Sequence, residues 1–333
     1  MSGAATIARR IGIGLILVCG AMTVLAPALA PNPPSTSFED RSYAPPMRIH
    51  LWHDGHWRGP FVYPQVLRNR IMREFDDDRS APAPLRWFAD GRLLSIDPSY
   101  GPLLLAGGDA IGRDVWSRLL HGARRSLGVV LVGVCGALVL GVIIGGLAGT
   151  VGGRVDDWLM LAADFVVVLP GAYLVLVLRS LLPIVLEPAE IFAWMAVVFA
   201  FAAWPHVARG VRAIVAAERA REYAEAARAS GAGVPRLMRQ LVPAARGFLL
   251  VELVLLVPAL LVAEVTVSFL GLGFPERAAS WGTLLQDAAQ VTVLSQAPWV
   301  LAPAIAVFVV TLALHLAGGS RLERSTLVLS SSR

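Results

Sequence analysis

The sequence predicts an all-α polytopic membrane protein with six transmembrane helices and a small β-containing extracytoplasmic insert after the first helix. Three observations carry that expectation. Of 333 residues, 56% are hydrophobic and only 16% are charged, and the mean hydropathy is +0.63, which lies on the membrane side of ordinary composition. Apolar runs long enough to span recur at residues 11–30, 127–151, 158–182, 191–207, 248–273 and 297–316. Residues 31–108, by contrast, contain no spanning run and are rich in Pro, Trp, His, Arg and Asp.

The first run follows Arg9 and Arg10. Ala28-Leu29-Ala30 imitates a signal-peptide cleavage site, but Pro31 directly after it disfavours cleavage, so a retained helix is expected. The insert balances nine Arg against nine Asp plus Glu. Asp54-Gly55 between the alternating runs of Met47–Tyr63 predicts a hairpin, and Asp90-Gly91 predicts a second within Arg86–Ile96. Ala81-Pro82-Ala83-Pro84 reads as a connector. His50, His53 and His56 recur at every third residue, which invites a metal. On a regular hairpin, however, His50 and His53 point to opposite faces, while His53 and His56 can pair across the turn. A solvated hairpin face is expected there, with no metal site. Cys19 and Cys135 sit in apolar runs and read as small buried hydrophobes.

Gly107–Ser126 reads as a Gly-rich turn and then an amphipathic helix at the membrane surface. Val115, Leu119 and Leu120 would face lipid, and Arg118, Arg124 and Arg125 the headgroups. In the second span Gly133, Gly141, Gly145 and Gly149 permit close helix packing. Pro170-Gly171 predicts a kink in the third span, and Trp204-Pro205 an end to the fourth. Trp281 and Trp299 suit the outer interfacial belt. Asp164 and Glu264, in the third and fifth spans, are intramembrane carboxylates, hence functional candidates by default; a bond to a neighbouring helix is the alternative for each.

Residues 222–243 interrupt the apolar pattern. Ala220, Tyr223, Ala224 and Ala227 form one small-residue helical face, with Arg219, Glu222, Glu225 and Arg228 off it. Gly231 breaks the helix as a C′ glycine. Pro235 opens a second helix with Val234, Leu237, Met238 and Leu241 on its apolar side, and Pro243 is expected to stop it. Residues 205–247 carry eight Arg against three Glu, an excess that marks a cytoplasmic loop. With six spans, Arg9, Arg10, Arg154, Arg321 and Arg324 fall on the same side. Both termini are then cytoplasmic and the insert is outside.

Glu225-Ala226-Ala227, three residues, then Gly231 and later Pro243 resemble the EAA loop of ABC importer permeases. The Gly-to-Pro interval is one residue shorter than usual, and Val242 replaces the common Leu. Gly107, Asp109, Gly112, Arg113, Asp114, Ser117, Arg118, Leu119, Gly122, Ala123 and Arg124 match, position for position, the segment that opens the transport domain of dipeptide and oligopeptide permeases, with Gly108 where Thr is usual. Ala263-Glu264, Ser268-Phe-Leu-Gly-Leu-Gly273 and Ser280-Trp281-Gly282 resemble further elements of the same family. Gly319 stands where its C-terminal motif has Asp.

The resemblance, to the dipeptide/oligopeptide/nickel group, implies a type I ABC importer permease fold. It implies a first helix and tail at 1–30, an extracytoplasmic insert at 31–108, a transmembrane domain at 109–320 with its coupling loop at 205–247, and a cytoplasmic tail at 321–333. It implies that Glu222, Tyr223, Glu225, Ala226, Ala227 and Gly231 contact the ATPase, that Gly112, Arg113, Asp114 and Arg118 are structural, and that Asp164, Glu264 and Ser268 are candidates for the translocation path. Implied partners are a second homologous permease subunit, two cytoplasmic ABC ATPases that use ATP and Mg, an extracytoplasmic substrate-binding protein and the lipid bilayer of the bacterial inner membrane, with no nucleic acid. The chain itself is expected to be non-catalytic and to bind no cofactor directly; all 29 basic residues are Arg, so the lysine of a phosphate-binding loop is missing. Peptide is the expected cargo; nickel or another small solute is the alternative. An ATP-independent secondary transporter or channel is the rival class, but it gives residues 222–243 no role. The insert reads either as a dock for the binding protein or as a structural cap.

Overall fold

The computed structural model describes residues 3–89, 91–169 and 187–330. The helices are α1 (Gly3–Val24), α2 (Ala26–Leu29), α3 (Val115–Val151), α4 (Gly153–Val168), α5 (Pro188–Arg219), α6 (Glu222–Ala229), α7 (Val234–Leu241), α8 (Arg246–Phe269), α9 (Trp281–Leu285), α10 (Val291–Gln296) and α11 (Ala302–Ser330). Among the described residues five helical stretches are long and apolar enough to cross a membrane: Thr6–Val24, Val115–Val151, Pro188–Arg219, Val234–Phe269 and Pro298–Gly318. The third expected span begins in α4. Its remainder, with the Pro170-Gly171 kink, lies outside the described residues. The chain divides into two compact units. One comprises Met1–Ile13, Leu127–Val267 and Thr311–Arg333, and the other Gly14–Ser126 and Ser268–Val310.

In the first unit the glycine stripe of α3 is a packing surface. A Cβ on Gly149 would lie 2.8 Å from the Arg212 carbonyl and 2.8 Å from the Val215 Cβ of α5, and one on Gly133 would lie 2.8 Å from Phe199 Cβ. Small residues let the two backbones meet, as in small-xxx-small membrane interfaces. Ala163 and Val166 of α4 pack with Trp204 and Ala208 of α5 and with Ile144 of α3. Trp204-Pro205 does not end the fourth helix: α5 continues through a buried Pro205 to Arg219. The side-chain packing of α5 offsets the hydrogen bond that proline removes. Overpacking the stripe costs typically about 1–3 kcal/mol. Gly145→Leu is therefore expected to lower the midpoint of thermal unfolding in detergent. Gly247→Leu, where nothing lies within 4 Å of an added Cβ, is expected not to; equal midpoints would refute the packing role.

In the second unit the insert has a core of its own, Ala44, Met47, Val62, Ala83, Leu85, Ile96, Leu103 and Leu104. Strands β1 (Ile49–His53) and β2 (His56–Val62) form the expected hairpin. Asp54 (φ 48°) and Gly55 (φ 78°) both adopt positive φ, as a two-residue type I′ turn requires. Strands β3 (Gln65–Asn69) and β4 (Glu74–Asp77) form another, and β6 (Arg86–Ala89) and β7 (Arg92–Ser95) form the one expected around Gly91. The Ala81–Pro84 connector contains β5 (Ala83–Pro84), which pairs with β2. Proline is admissible there because β5 is an edge strand.

The parity argument for the histidines fails. The β1–β2 register shifts between His50 and Trp52, and both His50 and His53 reach one aromatic cluster: His50 lies 4.9 Å from the Tyr63 ring and His53 lies 6.0 Å from it. His53 Nδ1 pairs with the Tyr63 hydroxyl at 2.9 Å. Four steps on β2, from Trp57 to Phe61, oppose two on β1, from Trp52 to His50. The extra residues lie on β2, the shift is even and leaves the alternation of β1 unchanged, and a bulge also bends and twists the strand pair locally. Among the described residues no group of three or more His, Cys, Asp or Glu is placed to hold a metal ion.

Candidate coupling knuckle and buried ion cluster

The knuckle is built from α6 and α7. α6 is short because both of its ends are set locally. Ala220 belongs to the end of α5, and Arg221, in extended conformation (φ −84°, ψ 150°), precedes the first turn of α6. The small-residue face therefore starts at Tyr223, not at Ala220. At the other end Gly231 has φ +76°. Its N–H donates to the Arg228 carbonyl (2.9 Å) and that of Ala232 to the Ala227 carbonyl (3.0 Å). This is a Schellman closure, whose C′ residue must be left-handed.

Ala224 is fully buried, while Glu222, Tyr223, Glu225 and Ala226 are exposed and Ala227 is intermediate. The Tyr223 hydroxyl donates to Glu218 Oε2 at 2.7 Å. The neighbouring carboxylate raises the tyrosine's pKa by favouring its protonated form. Glu218 also pairs with Arg221 at 3.1 Å, and Glu225 with Arg228 at 3.8 Å. Such surface pairs contribute about 0–1 kcal/mol; they shape the exposed face more than they stabilise it.

α7 turns Leu237, Met238 and Leu241 of its expected apolar side inward, whereas Val234 at its start is exposed. Leu237 and Leu241 are buried, and a Cβ on Gly146 of α3 would touch Met238 Cε and Val242 Cγ2, each at 3.0 Å. Pro243 does not stop the chain's helical course. Residues Val242–Ala245 form a 3₁₀ turn that leads directly into α8, and proline is compatible with an early helical position where its N–H is not needed. The knuckle is thus mechanically continuous with the fifth span and seated on α3.

α4 and α5 are clasped by two ion pairs. Arg212 grips Asp156 through both nitrogens, Nε to Oδ1 at 2.9 Å and Nη2 to Oδ2 at 2.5 Å, and Arg209 pairs with Asp164. Asp164 is thus engaged by a neighbouring helix. Glu264 is fully buried in α8. Ser268, also buried, accepts the Phe274 N–H at 3.4 Å on Oγ and the Gln286 side-chain N–H at 3.2 Å on its carbonyl, so it fastens the end of α8. Ser268 belongs to the second compact unit, whereas Asp164 and Glu264 belong to the first. Arg209, Arg212 and Asp156 were missed as site residues. Their only sequence signal is basic and acidic residues near span ends, which reads equally as topology marking.

In the second unit the motif at the head of α3 is a buried ion cluster. Gly112 has φ +79°, which closes the turn that lets Asp109 Oδ1 accept the backbone N–H of Ile111 (3.1 Å) and of Arg113 (2.8 Å). Asp109 Oδ2 accepts Arg113 Nε at 2.6 Å and lies 3.4 Å from Arg118 Nε. Both guanidinium groups also reach Glu276: Arg113 Nη2 to its carboxylate at 3.0 Å, and Arg118 Nη2 to its backbone carbonyl at 3.2 Å. Arg118 is 1% exposed. Val115 and Leu120 are buried as well, so α3 is one continuous helix whose head packs on protein rather than lying on lipid, and Arg118 faces carboxylates rather than headgroups. Trp281, expected at the bilayer interface, is likewise buried; its indole N–H donates to the Leu119 carbonyl at 3.0 Å. The indole of Trp299 donates to the Gly108 carbonyl at 3.0 Å. Asp287 receives the Ala110 N–H at 3.4 Å; burial and the nearby Asp109 push its pKa up.

Asp114 caps α3. Oδ1 accepts the Trp116 N–H at 3.0 Å, and Oδ2 accepts from Ser117 Oγ (2.5 Å) and Asn32 Nδ2 (3.1 Å). Burial outweighs these donors and raises its pKa to about 6. A raised folded-state value means that the folded form holds the proton more tightly than the unfolded chain. Its contribution is full below the unfolded value and is lost as pH rises toward 6, with a limiting slope of about 1.4 kcal/mol per pH unit. Asp114→Asn is expected to flatten the stability profile between about pH 4 and 6 relative to the parent; parallel profiles from thermal unfolding in detergent would exclude the assignment.

Residues 139–319 match the family described as binding-protein-dependent transport system inner membrane component. The chain is 36% identical over 228 residues to the nickel transport system permease protein NikC of Escherichia coli (strain K12), covering 68% of this chain and 78% of that protein. It is 34% identical over 216 residues to the oligopeptide transport system permease protein OppC of Bacillus subtilis (strain 168), covering 64% and 67%. It is 34% identical over 245 residues to the dipeptide transport system permease protein DppC of the same strain, covering 72% and 67%. The family match takes in α4, α5, the knuckle and α8, whereas Asp109–Arg118 at the head of α3 precede it. The chain belongs to the binding-protein-dependent transport system inner membrane component family: it is a multi-pass inner-membrane permease subunit of the dipeptide/oligopeptide/nickel group of ABC importers.

Proposed function

We propose that this permease carries peptides inward across the bacterial inner membrane, driven by two cytoplasmic ATPases that hydrolyse Mg-ATP and supplied by an extracytoplasmic binding protein, with a second homologous permease completing the pore. Both termini and the knuckle lie in the cytoplasm in this reading, and residues 31–108 lie outside, as the arginine distribution favours. The observation that carries the coupling role is the knuckle itself. It exposes Glu222, Tyr223, Glu225 and Ala226 on a helix closed by Gly231. Its second helix packs against Gly146 of α3 and runs into α8. Closure of the ATPases pushes on α6. The push reaches α3 and α8 because packed side chains and a helical connection transmit displacement better than a loop does, and alternating access follows as rigid-body rocking. Asp164, Glu264 and Ser268 remain candidates for the path, with Asp164 acting together with its Arg209 partner.

Peptide is preferred over nickel because two of the three relatives above are named for oligopeptide and dipeptide transport; nickel is the second reading, on the name of the third. Reconstituted importer with its cognate binding protein is expected to accumulate labelled di- or oligopeptide in proteoliposomes only when ATP and Mg are present. ATP-dependent uptake of nickel without peptide uptake would reverse the substrate order, and uptake independent of the ATPases would remove the importer reading.

A further inference from the structure

The β3–β4 hairpin ends in two large apolar side chains held out to solvent: Ile71 is 93% exposed and Met72 68% exposed. The tip is anchored rather than loose. Asn69 Oδ1 accepts the N–H of both Ile71 (3.0 Å) and Met72 (3.1 Å). Arg73, at φ 53°, sets its guanidinium 4.5 Å above the Tyr43 ring, and the Tyr43 N–H donates to the Asp109 carbonyl at 2.9 Å. The tip is therefore tied to the buried ion cluster. Beside it opens a cavity of about 670 Å³ lined by Tyr43, Ile71, Met72, Glu74, Val293 and Gln296 among others. Val291, at the start of α10 next to this rim, is 80% exposed.

Charges around the tip are matched within the chain: Arg70 with Asp40 at 3.0 Å, and Arg68 with Asp76 at 3.6 Å. Residues 65–79 carry four Arg and four acidic groups. An apolar centre inside a polar, ion-paired rim is the anatomy of a protein–protein interface. Rigid exposure of the apolar pair limits the ordering cost of binding. Anionic lipid headgroups do not fit, because the hairpin has no net positive charge and β4 and its exit carry Glu74, Asp76, Asp77 and Asp78 in close succession.

We infer that Ile71 and Met72, with the adjoining cavity and Val291, form the docking surface for the extracytoplasmic binding protein, which presents an apolar, uncharged patch to them. The inference rests on the importer reading, since that reading puts the hairpin and α10 on the outer face and the family's transport depends on a binding protein.

The test uses the whole importer in nanodiscs with its cognate binding protein. A photo-reactive phenylalanine at Met72 is expected to crosslink to the binding protein, and the same group at Trp57 is not. The double variant Ile71→Glu, Met72→Glu is expected to raise the binding-protein concentration for half-maximal ATPase stimulation roughly tenfold or more. Co-purification of the ATPases and hydrolysis without binding protein check that the importer is assembled. Failure of those controls in the parent importer would count against the importer reading instead. A Met72 crosslink that reaches only the second permease or only lipid, or stimulation by the binding protein that the double variant leaves unchanged, overturns the docking surface.

Discussion

Replacing Gly231 by Val is expected to leave the protein in the membrane while the ATPases no longer co-purify with it. The residue stands at φ +76° with no atom within 4 Å of an added Cβ. The cost is therefore one of backbone conformation and not of crowding. A left-handed L-residue is disfavoured by about 1–2 kcal/mol, and a β-branched one by more. That is comparable to the stability of a two-turn helix end held by its Schellman bonds, so the last turn of α6 unwinds and the Glu222–Ala227 face is lost. The buried side of the knuckle, Leu237 and Leu241, is untouched, which is why insertion and α8 persist. Two companion variants separate structure from contact. Gly233→Ala changes an extended residue (φ −70°, ψ 164°) and is expected to be silent. Glu225→Lys changes only an exposed side chain whose pair with Arg228 is long at 3.8 Å; it is expected to keep the fold and still weaken ATPase pull-down. Unaltered pull-down in both Gly231→Val and Glu225→Lys would show that the ATPases bind elsewhere.

Asp109→Ala is expected to be the most destabilising single change in the second unit, at about 3–5 kcal/mol, because it leaves two buried guanidinium groups without their shared carboxylate. Arg113 and Arg118 side chains are 6% and 2% exposed, so water cannot replace Asp109. The same substitution also frees the Ile111 and Arg113 N–H groups of the turn. Glu276→Gln is the contrast. Its side chain is 63% exposed, and its carbonyl, which both arginines also use, remains; the expected loss is under about 1 kcal/mol. Thermal unfolding of the two variants in detergent measures the difference. Midpoints that shift equally would mean that the cluster is not the buried network described.

What could be read in the chain alone differs by the range of the interaction. The polar knuckle was legible because its determinants are local: Gly231 for the left-handed cap, Pro235 near the first turn of α7, and the Leu237–Leu241 spacing. The Asp54-Gly55 hairpin was legible for the same reason, since a type I′ turn is specified by two residues. Pro205 and Pro243 misled because a proline signals only a lost N–H; whether the helix ends there depends on packing around it. Glu276 and Asp287 gave no signal as members of the ion cluster, nor did Asn32 as the partner of Asp114. They lie far from Asp109 and Arg118 in sequence, and nothing local couples them.

Apolar run length, glycine spacing and arginine bias thus determine by themselves that this chain crosses a membrane several times, where its helices approach closely and which loop is special. Those are consequences of bilayer thickness, backbone sterics and charge placement, all of which act along the chain. Tertiary structure alone decides which carboxylate meets which arginine, that Arg118 and Trp281 are buried rather than facing headgroups, and that His50 and His53 come together. Ion pairs need oppositely charged groups brought within about 4 Å across separate elements, and the two histidines meet one aromatic cluster through the shape of an irregular strand pair. Neither is a property of local sequence.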